Sequence, residues 1–470
     1  MKSEKLYDAI TNISEENITR CDNAVKKMKK PSKKLWISWV AAMLVVAIVV
    51  GVVLWPGKDS IVISANAIFE AEYPDRSDLS YRPVNNELKE CLSPFFNDFI
   101  ARSLTGAGDE NVLVSPLSVY MAMCILAEST SGESREQILD VLGYADKEIL
   151  GLSQMELLRT SAKTIFNSVH NTHKSATRLL ANSVWLDKSV EFNSATMKTI
   201  ADNFYTSSFS GNLGSDEMNK VAQSWLNENT KNILSEQIKD IELAPETLYA
   251  IMSTVYFKGS WDNEFNKSMN TQGIFHGAKG DVPVAFMNKK TIHNYYWGEG
   301  FAAISYRMQG GDSMWFILPD EGVEAETLLN NQQVLEFMTP VKKTAESKSL
   351  IVNMSIPKFD VEYNTDLSGV LKEMGVTHVF ERFNADMSPV LKDGYLPNGY
   401  WLYATEVKHG VRVRIDEKGC EGAAYTIIPE APGASEPPDD EVDFIVDRPF
   451  IFAVTDSNGL PIFAGIVNMP

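Results

Sequence analysis

The chain has 470 residues, 44% hydrophobic and 22% charged, enough apolar sequence for a substantial packed core. Net charge is -19, and the nine Lys/Arg against five Asp/Glu of residues 1–34 leave -23 on the remainder. So acidic a body argues against nucleic-acid binding, which needs a basic stripe. The four cysteines, Cys21, Cys91, Cys124 and Cys420, fall at no metal-ligand spacing and are too sparse for a disulfide framework, so they read as free buried thiols.

Residues 1–34 form a short polar segment that ends in a lysine cluster, Lys26 to Lys34. Residues 35–55 then run without a charge, flanked by Trp36, Trp39 and Trp55. That length spans a bilayer, and tryptophans suit its interfaces. The lysines place the N-terminus on the cytoplasmic side and everything after residue 56 outside, in a single-pass cell-membrane protein. The alternative is a cleaved signal peptide, since Ala65-Asn66-Ala67 resembles a processing site. Against it, the apolar run is long for such a peptide, and the site lies roughly ten residues past its end. Residues 56–87 carry scattered Pro and charge and read as an extracellular stalk.

The body, residues 88–470, opens on an amphipathic helix with Leu92, Phe95, Phe96, Phe99, Ile100 and Leu104 at helical spacing. Ser115-Pro116 supplies an N-cap and a first-turn proline for a second helix. Ser134 with Gln137 predicts a capping box for a third, closed by Gly143. Ala181–Leu186 and Leu248–Phe257 read as buried strands, with a helix carrying Trp225 between them. Two hairpins follow: Ala302–Met308 with Met314–Leu318, and Phe450–Asp456 with Leu460–Val467. Helices and strands interleave without a βαβ rhythm, so the class is α+β in one continuous domain.

Among six histidines, His170 and His173 are three apart, and a surface pair is the better reading than a metal site because no third ligand is evident. No H-E-x-x-H, G-x-S-x-G, Walker or G-x-G-x-x-G pattern occurs, so nothing supports catalysis, and no cofactor is expected.

The most informative stretch lies near the C-terminus. Val411 to Asp416 alternates apolar and charged residues, as a half-buried strand does. After the turn come Cys420, Gly422, Ala424 and Thr426, all small and all on one side of any extended chain. The opposite set, Glu421, Ala423 and Tyr425, is free to be charged or bulky. A segment of this kind slips between two existing strands without overpacking the core. Beyond it, Pro429 to Asp443 is rich in Pro, Ala and acid and has no period.

Five motifs carry a resemblance to the serpins, the serine-protease inhibitors whose reactive loop inserts into their own sheet. Glu417 to Ala424 is similar to the family's hinge, Phe444 to Phe452 to its C-terminal signature, and Asn111 to Ser118 to its N-x-x-x-S-P-x-S. Phe257-Lys258-Gly259-Ser260-Trp261 resembles its F-K-G-x-W, and Ala385 to Ser388 its A-D-x-S. They occur in family order from about residue 88 onward.

The resemblance implies a fold of three β-sheets with eight to nine helices and an exposed reactive-centre loop. Its hinge would be Glu417, Gly419, Cys420, Gly422, Ala423, Ala424 and Thr426. A shutter of Ser115, Ser118, Ser253 and His409 follows, Ser253 standing where the family usually has Asn. Trp261, Lys358 and Glu417 would form the breach at the top of the sheet. Family spacing puts the reactive bond near Gly433-Ala434, with Ala431 a further candidate. The small residues there, and the lack of Lys or Arg between Lys418 and Arg448, point to elastase-like or subtilisin-like proteases. The chain is thus expected to be a non-enzymatic, membrane-anchored, monomeric inhibitor, bacterial in origin, whose partner is a serine protease held covalently. The alternative within the family is a non-inhibitory member used as a binding or adhesion surface.

Overall fold

In the computed structural model the described residues are 67–145, 152–396, 400–420 and 440–470. All belong to one compact unit, Val62–Pro470. The cytoplasmic segment and the span at 35–55 lie outside them, as do Gly422, Ala423, Ala424, Thr426, Ala431, Gly433 and Ala434. Among the described residues no helix is long and apolar enough to cross a membrane.

In chain order the first strands are β1 (Ala67–Phe69), β2 (Val112–Val114), β3 (Asn171–His173), β4 (Ala176–Asp187), β5 (Thr206–Gly211), β6 (Tyr249–Ser260), β7 (Thr271–Gly277) and β8 (Gly280–Gly298). They continue with β9 (Phe301–Arg307), β10 (Ser313–Pro319), β11 (Glu346–Pro357), β12 (Phe359–Asp366), β13 (Lys408–Asp416), β14 (Gly419–Cys420), β15 (Glu441–Ile445), β16 (Phe450–Thr455) and β17 (Pro461–Val467). One sheet runs β1-β5-β4-β6-β14-β13-β12, with β3 on β4, and the other β15-β11-β8-β9-β10-β16-β17-β2, with β7 on β8. Among the described residues the expected three sheets are therefore two by hydrogen bonding. The cause is β8, whose 19 residues pair with β7 at the start, with β11 through the middle, and with β9 at Tyr296, Trp297 and Gly298. Two of the expected sheets thus share one continuous ladder.

The first helix, α1 (Asn86–Leu104), buries all six predicted apolar positions, and the Asn85 side chain caps it by accepting from the Leu88 N–H. In α2 (Pro116–Ser129), Ser115 is the cap and Pro116 the first residue, as expected. The expectation for α3 (Gly132–Val141) needs correction: its cap position is Ser131, and Ser134 lies inside the helix. Ser134 Oγ instead accepts from the Asp386 N–H, and Gln137 accepts from the Thr377 and His378 N–H groups. Both polar side chains tie α3 to a distant loop. Gly143, at φ +80°, follows the helix end, where a Cβ would meet the Cys91 carbonyl oxygen at 2.6 Å.

Inward side chains of the two sheets interlock in a shared core. Val411, Val413 and Ile415 from the first meet Phe316, Phe450 and Phe452 from the second. A second core lies under the helices around Phe95, Phe96, Phe99 and Tyr120.

Residues 67–84 depart from the expected stalk. β1 adds an edge strand to β5. The chain then continues along the body, with Thr172 N–H donating to Arg76 O at 2.6 Å and Val84 N–H to Asn458 Oδ1 at 2.8 Å. Tyr73 stacks on Phe166 and His170. His170 is accordingly buried, not half of a surface pair, and burial pushes its pKa down to about 4. Cys91, Cys124 and Cys420 are buried.

Candidate functional site

The first sheet has a seam. β6 and β13 run parallel, and among the described residues only the two-residue β14 joins them. Gly419 pairs with Asp416 on one side and Ser260 on the other, and Cys420 pairs with Ile415 and Gly259. Cys420 therefore points the way Ile415 does, into the core between the sheets, and is 2% exposed. The small-side-in parity read from the sequence holds at this first position.

The turn into the seam is built from its own residues. Asp416 Oδ1 accepts from the Lys418 N–H at 2.8 Å and the Gly419 N–H at 3.3 Å, an Asx-type turn that reverses the chain after β13. Gly419 then passes so close to β6 that only glycine fits. A Cβ there would lie 2.1 Å from the Gly259 carbonyl oxygen.

The three predicted breach residues come together around this turn. Trp261 is buried and packs edge-on against Tyr306, its ring centroid 5.2 Å away. Its Nε1–H donates to Asp416 O at 2.9 Å, and its backbone N–H to Lys418 O at 2.9 Å. Lys358 Nζ lies 2.5 Å from Glu417 Oε1, and Asn270 Nδ2 donates to the same oxygen at 2.5 Å. Burial works against the Glu417 carboxylate, but hydrogen bonds from Lys358, the backbone and Asn270 outweigh it and hold its pKa below the usual value. Glu417 is thus a charged pin on the turn.

Lower in the seam, the N-terminus of α2 reaches both strands. Ser118 Oγ donates to Ser253 O on β6 at 3.0 Å and lies 3.3 Å from Ser253 Oγ. Ser115 N–H donates to His409 Nε2 on β13 at 3.0 Å, and Ser115 Oγ donates to Ile462 O at 2.9 Å. All four predicted shutter residues are therefore assembled, with Ser253 serving where an Asn was expected. Burial pushes the His409 pKa down to about 4, so the ring is neutral, as an Nε2 acceptor must be.

Three participants were not singled out from the sequence. Asp416 was legible in principle, since Asp-Glu-Lys-Gly is a turn signal. Asn270 lies 147 residues from Glu417 and carries no local signature, and although Gly259 stands in the F-K-G-x-W motif, nothing there marks its contact with Gly419. Two motif residues prove to be braces: Asn111 Oδ1 accepts from the Asn468 and Met469 N–H groups, and Asp386 O accepts from the Ser131 N–H. The candidate reactive bond is outside the described residues; the strand after it, β15, pairs in parallel with β11 from Glu441, so the aperiodic run ends there.

Comparison with known proteins agrees with this geometry. A family model described as "Serpin (serine protease inhibitor)" matches residues 94–470. Serpin-ZX of Arabidopsis thaliana is 26% identical over 380 residues, covering 78% of this chain and 94% of that protein. Alpha-1-antiproteinase of Rattus norvegicus is 25% identical, covering 83% and 90%. An uncharacterised serpin-like protein of Methanosarcina acetivorans is 27% identical, covering 77% and 82%. Among solved structures, native tengpin, from a thermophile, superposes with a TM-score of 0.70 at 24% identity, covering 86% of this chain and all of that one.

Proposed function

Because the chain belongs to the serpin family, we propose that it is a suicide inhibitor of serine endopeptidases, anchored to a membrane through residues 35–55. The protease serine attacks the bond near Gly433-Ala434, forming an acyl-enzyme and freeing the hinge. The hinge then zips into the seam before water hydrolyses the ester. Strand insertion as a release of stored strain is an established behaviour of serpins and a standard illustration of such switching.

The observation that carries this reading is β14, a strand already begun between β6 and β13. Extending its antiparallel register would set Gly422 opposite Phe257 and Val413, and Ala424 opposite Val255 and Val411. Thr426 would arrive opposite Ser253 and His409, at the shutter. Each inward side chain on that path is small where the core is already filled, and overpacking one costs roughly 1–3 kcal/mol. Thr426 adds a hydroxyl where polar partners stand.

Specificity follows from the bait. Gly433, Ala434 and Ala431 are small, and the absence of Lys or Arg from 419 to 447 favours an elastase-like or subtilisin-like pocket over a trypsin-like one.

The test is to mix the full chain, in detergent micelles, with an elastase-like serine protease and resolve the products on denaturing gels. A band at the summed mass, with a released fragment beginning at Ala434, supports the proposal. Clean cleavage without that band, for both elastase-like and subtilisin-like enzymes, supports a non-inhibitory binding role. The fold also serves ligand binding elsewhere: thyroxine-binding globulin in complex with thyroxine superposes with a TM-score of 0.65 at 20% identity.

A further inference from the structure

We infer that the pole of the body opposite the reactive loop docks onto the lipid headgroup region through a patch of exposed aromatic side chains. The patch consists of Phe383, Tyr395, Tyr400, Trp401 and Tyr403, whose exposures range from 37% to 71%. Phe383 and Trp401 meet edge to face, with ring centroids 5.9 Å apart. Phe383 and Trp401 touch, Tyr400 and Tyr403 flank Trp401 in the chain, and exposed aromatic groups of this kind mark an interaction site.

Its place in the fold is set by the first sheet. β4 runs from Ala176, opposite Gly259 near the breach, to the Asp187 end, where Leu186 lies opposite Tyr249. Twelve residues of strand separate the two poles by about 40 Å. Cys420, the last described residue before the reactive loop, pairs with Gly259 at the breach end. The patch belongs to the other end. Its connecting segment bridges Leu391 to Phe192, bonds Lys392 N–H to Glu191 O just past the end of β4, and re-enters the sheet at the foot of β13, where Leu367 N–H donates to Val407 O.

The N-terminal chain reaches the body at that same end. β1 is antiparallel to β5, with Ala67 opposite Phe209 and Phe69 opposite Ser208. Ala67, the first described residue, therefore stands towards the Gly211 end of β5, and Gly211 pairs with Asp187. Only residues 56–66 separate Ala67 from the end of the apolar run. Eleven residues reach at most about 40 Å. A patch held within that distance of a bilayer needs little intrinsic affinity, because tethering gives it a millimolar effective concentration.

The chemistry selects the occupant. Tyr and Trp rings, apolar in body and polar at one edge, are the residues enriched at the membrane-water interface. Electrostatics supply no attraction, since residues 35–470 carry -23. Docking therefore works on zwitterionic lipid and is insensitive to salt. The breach end, where the described chain stops at Cys420, then faces away from the lipid. This inference rests on the anchor at 35–55.

The test uses the full chain reconstituted in phosphatidylcholine vesicles and subjected to hydroxyl-radical footprinting. The reference is the same chain cut at a protease site engineered between residues 57 and 65 and separated from the vesicles. Oxidation of Tyr395, Tyr400 and Trp401 should be lower on vesicles by about threefold or more, as tethered docking implies. Exposed Met269, in the helical turn that precedes Asn270 of the breach, should be unchanged. Phe383 should lose its protection in the Tyr400→Ser/Trp401→Ser chain, which should still trap protease. Equal oxidation in both states overturns the docking, while retention through a carbonate wash upholds the anchor independently. A chain lost in that wash overturns the anchor and the docking together, leaving protease trapping as a separate readout.

Discussion

Gly419 lies against Gly259 so closely that a Cβ added to it would sit 2.1 Å from the Gly259 carbonyl oxygen. The obstacle is backbone, which has nowhere to give. Gly419→Ala should therefore push β14 off β6 and delay entry of the hinge into the seam. The expected outcome is a shift from trapped complex to cleaved, released inhibitor, measured as the number of inhibitor molecules consumed per protease. An unchanged ratio would mean the contact has no part in insertion.

Glu417 pins the turn ahead of the hinge through Lys358 and Asn270. Hydrogen bonds to a charged group contribute about 1.5–3 kcal/mol when shielded, and Glu417 is 12% exposed at its side chain. Lys358 is 31% exposed, which places the effect at the lower end. Glu417→Gln should lose inhibitory activity on warming roughly tenfold faster than the parent, without chain cleavage. Activity against time at elevated temperature, with mass spectrometry of the recovered chain, checks this.

His409 predicts a pH dependence with a definite sign. Its folded pKa is about 4, below the ordinary 6.5, because burial disfavours the charged ring. The unfolded chain therefore binds the proton first, and stability present above pH 6.5 is lost as pH falls towards 4. His170 acts in the same direction over the same window. Buried Asp312, raised from 3.8 to about 7 by burial despite Arg178, acts oppositely, losing stability as pH rises through that range. His409→Gln, which keeps an acceptor for the Ser115 N–H, should flatten the fall between pH 6.5 and 4. Urea midpoints across that range are the measurement.

Arg178 and Asp312 form a buried ion pair, 5% and 0% exposed at their side chains. Removing one partner strands the other charge in the core, at a cost of about 3–5 kcal/mol. Arg178→Met should therefore be strongly destabilising at pH 8. Adding Asp312→Leu should recover most of that loss. Denaturant unfolding of both variants decides it, and a double variant no more stable than the single would show that the pair is not the source.

How much of this was legible depended on range. Local signals held: Ser115-Pro116 capped α2, and the alternation at Val411–Asp416 was β13. Trp261 and Ser118 lay inside quoted motifs and His409 was placed by the resemblance; Trp261 stands on the turn at Asp416, and Ser118 and His409 lie lower in the seam. Pairings set by the fold were not readable. Ser134 looked like a cap because its spacing to Gln137 is right, yet both side chains were taken up by a loop some 240 residues away. His170 looked exposed because Tyr73, which covers it, comes from a segment read as a stalk. The resemblance implied three sheets, and nothing in the sequence of β8 marks that it passes from one partner to the next and joins two of them.

The central claim is that the chain beyond Cys420 enters the seam between β6 and β13 once the loop is cut. The most direct measurement is thermal unfolding of the chain before and after cleavage within residues 428–435. Filling the seam adds a full strand of ladder and core, so the cleaved form should unfold higher by on the order of 10 °C or more. Thr426→Arg should reduce that gain by obstructing the shutter. Identical unfolding temperatures for intact and cleaved chains would contradict the account.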